Sequence, residues 1–150
     1  MAETITALSE QLIEHLQKEA LTLLSTIDHE SGSPTMNALS WLFAKDASTI
    51  RFAVDQRSRL ITNMKANPLV TLTYIGAGSV HAIYGKARLV TDALDEVPFK
   101  LACFDIEVTE VRDGMFYGAR ISVQPEYEKT YDKRAAEKLD TQVFSAMKKA

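Results

Sequence analysis

The stretch T-I-R-F-A-V-D-Q-R-S-R at residues 49–59 carries the clearest structural signal in this 150-residue chain. Ile50, Phe52 and Val54 are separated by single polar or small residues, and this alternation predicts a β-strand with one apolar face. Ser58 then suits a helix N-cap, because its hydroxyl accepts a hydrogen bond from an otherwise unpaired backbone amide. The stretch therefore predicts a strand that turns directly into a helix, which Pro68 ends after residue 66.

The start of this predicted helix combines the features of an anion site. Free amides at a helix N-terminus attract anions. The guanidinium groups of Arg57 and Arg59, on either side of Ser58, match the geometry of phosphate oxygens. These residues are compatible with a phosphate pocket, but taken alone they slightly favour a capped helix with two solvated arginines. The pattern alone leaves both interpretations open.

The segments on either side are mostly strands that follow one another along the chain. Periodicity predicts strands at 20–27, 36–44, 49–54, 69–75, 80–90 and 115–123, and helices at 6–19, 58–66, 95–107 and 133–149. Because the strands do not alternate one-to-one with helices, the order favours an antiparallel sheet or barrel over a doubly wound parallel sheet. The length predicts one domain over residues 1–150, mainly β, with flanking helices at about 6–19 and 133–149.

The predicted strand at 36–44 differs from the others, because it carries apolar side chains on both of its faces. That pattern indicates burial on both sides. Trp41, the only tryptophan of the chain, lies within it. Its indole is interpreted either as a core residue or as a flat surface for a flavin or a partner.

Composition narrows the remaining function classes. A net charge of −3 gives no sign of a nucleic-acid-binding surface. The single cysteine, Cys103, lies in an apolar run and is interpreted as a buried thiol. The absence of a signal-peptide pattern and of a long apolar run predicts a cytoplasmic protein without a membrane partner. Three isolated histidines and one cysteine form no compact zinc set, so no bound metal is expected.

Four stretches in order resemble a known family, the FMN-binding split barrels that include pyridoxamine 5'-phosphate oxidase and the general-stress proteins. They read L-T-L-L-S-T-I-D at 21–28 with Gly32 and Pro34 after it, the stretch at 49–59, N-M-K-A-N-P-L-V-T-L at 63–72, and Y-G-K-A-R-L-V-T-D at 84–92. The resemblance covers roughly residues 20–125. Each motif is short, and their common order and spacing carry the resemblance.

The resemblance implies a six-stranded antiparallel split β-barrel that forms a homodimer with two FMN sites between the subunits. In such proteins the turn that matches Arg57, Ser58 and Arg59 holds the flavin phosphate. The segment that matches Asn37, Leu39, Ser40 and Trp41 lies along the isoalloxazine ring. The implied activity is that of an FMN-dependent oxidoreductase with an unspecified small-molecule substrate or electron donor. No side chain stands out as a catalytic acid or base.

Three departures from the family separate this chain from the vitamin B6 oxidases. Leu60 stands where relatives often carry a phosphate-binding lysine, and Asn37 stands where those oxidases carry an arginine. The C-terminal R-x-H substrate motif is also missing. Oxidation of pyridoxamine phosphate is therefore not expected. The alternatives are a flavin-binding or sensor module with little turnover, or a split barrel that binds F420 or haem. His81, on a predicted barrel strand, is interpreted as a satisfied structural residue.

Overall fold

A computed structural model describes residues 4–150 of the chain. Within that range the chain forms seven strands and three helices. The strands are β1 Thr22–Ile27, β2 Pro34–Leu39, β3 Leu42–Ala44, β4 Thr49–Asp55, β5 Leu69–Gly76, β6 Ser79–Thr91 and β7 Leu101–Asp113. The helices are α1 Glu10–Leu16, α2 Arg59–Ala66 and α3 Lys133–Lys149. No helix in this range is long and apolar enough to cross a membrane.

The strands form one antiparallel sheet in the order β2-β1-β5-β6-β7-β4-β3. β2 and β3 lie at opposite edges of this sheet, yet only Ser40 and Trp41 separate them in the chain. Three virtual Cα bonds span at most about 11 Å, so the two edges must come close together. The sheet therefore curls into a split barrel whose seam lies at Ser40–Trp41.

The expected mainly β architecture with flanking helices is confirmed, but the expected count of six strands is wrong. The predicted single strand at 36–44 is broken in two at the seam. There the Leu42 amide donates to the Ser40 carbonyl at 3.0 Å, and the Ala53 amide donates to the Trp41 carbonyl at 3.0 Å. β3 is buried, whereas β2 is largely exposed within this chain, with Met36 60% exposed.

β6 and β7 are the longest strands described, with 13 residues each, and their pairing is irregular at two points. Their pairing register shifts between Tyr84 and Gly85, and again between Leu89 and Thr91. Such bulges increase the local twist and re-aim the strand. At the first bulge a Cβ on Gly85 would lie 2.4 Å from the carbonyl oxygen of Glu107. Only glycine allows the two backbones to approach this closely.

The barrel interior forms the larger of two apolar cores. The alternation predicted for β4 is confirmed, since Ile50, Phe52 and Val54 all point into this core. Phe52 stacks on Phe104 of β7 with ring centroids 5.7 Å apart. Helices α1 and α2 contribute further apolar residues to this core, which are Leu12, Leu16, Leu60, Ile61 and Met64. Burial of these side chains fixes the strand that leads to the predicted phosphate turn.

The second core lies on the outer face of β4 and β7, beneath α3. Val143 and Met147 of α3 are fully buried there against Ala53 and Cys103. Beside it the Arg51 guanidinium is bonded to both carboxylate oxygens of Asp105, at 2.7 and 3.1 Å. The same guanidinium donates to the carbonyls of Met147 and Ala150 at 2.9 and 2.6 Å. A buried ion pair therefore holds the C-terminal end of α3.

Three other predicted elements differ from the structure. α1 begins at Glu10 rather than near residue 6, because the Ser9 hydroxyl caps it by accepting from the Leu12 amide at 3.1 Å. The predicted helix at 95–107 is wrong, because its second half opens β7. The predicted strand at 115–123 is also wrong. Residues 114–132 form an irregular segment, with the Ile121 amide bonded to the Gly78 carbonyl at 2.8 Å.

Candidate functional site

A cavity of about 570 Å³ opens at the barrel seam. Its walls come from the seam itself, the end of β4, the turn into α2 and the start of β7. The lining residues are Asn37, Ala38, Leu39, Ser40, Trp41, Ala53, Val54, Asp55, Arg57, Ser58, Leu60, Phe99 and Leu101. Six of the seven residues predicted from sequence to form a cofactor site thus lie on one cavity, and the seventh, Arg59, does not line it. The volume is within the usual range for small-molecule pockets.

The turn between β4 and α2 is built by Ser58. Its hydroxyl accepts a hydrogen bond from the Leu60 amide at 3.2 Å, and its carbonyl accepts one from the Ile61 amide at 3.2 Å. The Ser58 amide donates to the Asp55 carbonyl at 2.9 Å. Among the described residues the Arg59 amide has no hydrogen-bond partner. The helix start therefore offers one free amide rather than several.

Arg57 lies at the mouth of the cavity, where its side chain is 90% exposed. Its guanidinium donates to both Asp55 carboxylate oxygens at 3.1 Å, and its amide donates to the same carboxylate at 2.8 Å. The guanidinium lowers the pKa of Asp55, and the carboxylate in turn raises the pKa of Arg57. Because water screens so exposed a pair, Arg57 is free to turn toward another anion.

Arg59 points to the opposite side of α2, toward the turn between β1 and β2. Its guanidinium donates to Asp28 at 2.7 and 3.2 Å and lies 3.6 Å from the Glu30 carboxylate. The Asp28 carboxylate also accepts from the amides of Glu30 and Ser31. The bond from Arg59 is the largest cause that holds the pKa of Asp28 far below its usual value. The Arg59 side chain therefore links the turn between β1 and β2 to the start of α2.

Two aromatic side chains flank the cavity. Trp41 lies at the seam, and its indole Nε1 donates to Asp140 Oδ1 of α3 at 2.8 Å. Phe99 lies just before β7 and remains 53% exposed. Phe99 and Leu101 are not among the residues predicted for the site, because the sequence predicts a helix over 95–107. The sequence signal for this wall is an aromatic residue, Phe99, directly after Pro98.

The described lining residues of this cavity include one acidic and one basic side chain, Asp55 and Arg57, which pair with each other. Cys103 lies in the core beneath α3, where burial raises the pKa of its thiol to about 11. Among residues 4–150 no cluster of three or more His, Cys, Asp or Glu side chains has the arrangement of a metal site.

The histidines lie elsewhere in the described structure. His15 is bonded to the Tyr74 hydroxyl at 2.9 Å beside a second, polar cavity of about 600 Å³ near α1. His29 is bonded to Asn63 at 2.8 Å. The interpretation of His81 as a satisfied residue agrees with its contact of 3.0 Å to the Gly76 carbonyl.

Comparison with known proteins places the chain in a family. Solved structures that share the fold include a candidate pyridoxamine 5'-phosphate oxidase from Lactobacillus delbrueckii, with 18% sequence identity and a TM-score of 0.61 over 71% of this chain and 94% of that one. HupZ of Group A Streptococcus matches with 16% identity and a TM-score of 0.61, over 77% of this chain and 100% of that one. An F420 reductase matches with 20% identity and a TM-score of 0.59, over 70% and 98%.

At these levels of identity the likeness to solved structures shows the fold alone. No curated protein matches the sequence. The family model for pyridoxamine 5'-phosphate oxidase, in contrast, matches residues 8–132. That range includes the whole seam, the turn into α2 and all seven strands. The chain therefore belongs to the pyridoxamine 5'-phosphate oxidase family of split-barrel proteins.

Proposed function

We propose that this protein binds FMN in the seam cavity and acts as an FMN-dependent oxidoreductase other than a vitamin B6 oxidase. One observation carries the proposal: the seam residues from Asn37 to Trp41 and the turn at Arg57 and Ser58, far apart in the sequence, line the same cavity. These are the two segments that the family resemblance assigns to the flavin ring and to its phosphate.

The cavity walls fit the two chemically different ends of FMN. Apolar and aromatic side chains, among them Trp41, Phe99 and Leu101, offer a surface for a flat ring. The turn at the other end offers an exposed guanidinium, a serine hydroxyl and one free amide at a helix N-terminus. Arg57 and Ser58, which line the cavity, would hold the phosphate through their side chains, and the free Arg59 amide at the adjoining helix start would add its partial positive charge.

The protein's own part in the reaction would be to bind and orient. FMN, when bound, supplies the hydride or electron transfer. Because Asp55 and Arg57 pair with each other, the cavity lining provides no obvious general acid or base. Asn37 stands where the vitamin B6 oxidases carry an arginine, so the seam lacks that positive charge.

We also propose that the protein works as a homodimer. β2 forms an edge of the sheet, and Met36 on it is 60% exposed in the single chain. An exposed edge strand with apolar side chains invites a partner. A second subunit at this edge would cover the open side of the cavity. We propose a cytoplasmic location, with which a chain whose one cysteine forms no disulfide within the chain is in keeping.

F420 is the second candidate cofactor, and the structural likeness to an F420 reductase favours it. A non-catalytic flavin sensor would use the same cavity, and only turnover measurements separate it from an enzyme. A haem ligated by histidine is not favoured, since none of the described histidines lines the cavity.

The deciding experiment is the absorbance spectrum of the protein purified without added cofactor, followed by titration with FMN, riboflavin and F420. The proposal predicts a bound flavin spectrum and tighter binding of FMN than of riboflavin. A Soret band would identify haem instead, and preferential binding of F420 would identify the second candidate. Binding of none of these ligands would refute the proposal.

A further inference from the structure

The main chain and the side chain of Trp41 are fixed by different parts of the molecule. The main chain is set by the sheet, because the Trp41 carbonyl accepts a hydrogen bond from the Ala53 amide of β4 at 3.0 Å. This contact leaves the direction of the indole undetermined. The indole packs beside the second apolar core, and its only polar atom donates to Asp140 at 2.8 Å.

Asp140 is well placed to fix the indole, because it is itself held. It lies on α3, 99 residues from Trp41 in the sequence, and its side chain is 16% exposed. Its second carboxylate oxygen lies 3.4 Å from the Lys129 ammonium. One carboxylate therefore joins the seam of the barrel to a cation on the irregular segment before α3.

Lys129 is anchored in turn by three neighbours. Its ammonium lies 2.7 Å from the Glu19 carboxylate and 5.5 Å from the centroid of the Tyr127 ring. Burial opposes the charge on Lys129, but the ion pairs with Glu19 and Asp140 outweigh it and raise the pKa of the ammonium. The chain Glu19–Lys129–Asp140–Trp41 thus runs from the end of the α1 region to the wall of the seam cavity.

We propose that Asp140, held by Lys129, is a positioning residue that sets the Trp41 indole as a preformed wall of the cofactor cavity. The inference rests on the proposed function, since it assumes that the cavity takes a cofactor. Its physical basis is preorganisation: ordering a free side chain when a ligand binds reduces affinity. An indole that is already fixed avoids that loss.

The test compares Asp140→Ala and Asp140→Asn with Glu137→Gln, a change at an exposed acid on the same helix. Trp41 is the only tryptophan, so tryptophan emission and its quenching by acrylamide report on the surroundings of this one indole. In the ligand-free protein we expect a red-shifted, more readily quenched emission in Asp140→Ala. In Asp140→Ala the indole must be ordered when FMN binds, and the cost of ordering one side chain corresponds to FMN binding about two- to twelvefold weaker than in the wild type.

Asp140→Asn keeps an oxygen acceptor for the indole and should restore most of the FMN affinity, whereas a merely structural role would not predict this rescue. Lys129→Met, which leaves α3 unchanged, should shift emission and affinity in the same direction as Asp140→Ala. It serves as the test if Asp140→Ala does not fold.

Two results would overturn the inference, and they are distinguishable. Unchanged emission, quenching and FMN affinity in Asp140→Ala or Lys129→Met would refute the positioning role while leaving the cofactor site intact. Failure of the wild type to bind FMN or F420 would refute the proposed function and the cofactor part of this inference. The emission of the ligand-free variants would then still show whether Asp140 fixes the indole.

Discussion

The buried Arg51 guanidinium, paired with Asp105 and bonded to the end of α3, is expected to contribute strongly to the stability of this part of the protein, and Arg51→Met tests this. Both side chains are nearly inaccessible to water, with 6% and 3% exposed. Loss of one partner of a buried ion pair typically costs about 3–5 kcal/mol, because the other charge stays buried without its partner. Arg51→Met would also remove the donors to the Met147 and Ala150 carbonyls.

Part of that cost is offset in this protein. Arg88 also donates to the Asp105 carboxylate, at 3.1 Å, and would continue to do so in the variant. We therefore expect a loss near the lower end, about 3 kcal/mol. For a domain of this length 1 kcal/mol corresponds to about 2–4 °C in Tm. The expected decrease is then about 6–12 °C.

Thermal unfolding followed by circular dichroism gives the measurement, with Arg88→Met as the matched control. Arg88 donates to the same carboxylate, but its side chain is 69% exposed. Pairs with an exposed partner contribute little, about 1 kcal/mol or less, so the control should change Tm by about 4 °C or less. If the two variants had equal Tm values, the argument from burial would be refuted.

Three further predictions concern the cavity, the core thiol and the last helix. Arg57→Ala should weaken FMN binding by about ten- to a hundredfold while changing riboflavin binding little, because riboflavin lacks the phosphate. Arg59→Ala should change the ratio of FMN affinity to riboflavin affinity much less. Titration calorimetry measures both affinities, and the reverse order of the two variants would show that the Arg59 side chain is the phosphate ligand. Burial raises the pKa of Cys103 from 9.0 to about 11. As pH rises through that interval the unfolded chain releases its thiol proton first, so the free energy of unfolding should decrease. In urea titrations Cys103→Ala should show a smaller decrease with pH, and an equal decrease would contradict the prediction. Truncation after Asp132 should lower Tm and expose the second apolar core to hydrophobic dyes, whereas an unchanged Tm would show that α3 adds nothing to stability.

The elements predicted well from sequence are those whose pattern depends on one face. β4 has a clear alternation, and α2 is marked by Ser58 at its start and by Pro68 after its end. The start of β7 resembles a buried helix in sequence because residues 101–104 form an unbroken apolar run and residues 101–106 are buried on both faces. Periodicity alone does not separate such a strand from a buried helix.

In the candidate site, too, features set by neighbouring residues could be predicted, whereas contacts between residues far apart in the sequence could not. The turn at Arg57 and Ser58 could be predicted because its signals are adjacent in sequence. The direction of Arg59 could not, because it depends on Asp28, which lies 31 residues away. The contact between Asp140 and Trp41 could not be predicted either, because it depends on the packing that brings α3 to the seam.

The seam at Ser40–Trp41 also determines the mechanical behaviour of the barrel. Around most of the circumference, neighbouring strands are joined by ladders of backbone hydrogen bonds, whereas β2 and β3 are joined by a short covalent link. Spreading these two edges apart breaks none of the sheet's hydrogen bonds. The barrel should therefore be most compliant along this line, so that breathing motions which admit a ligand are concentrated beside the cavity while the rest of the sheet stays rigid.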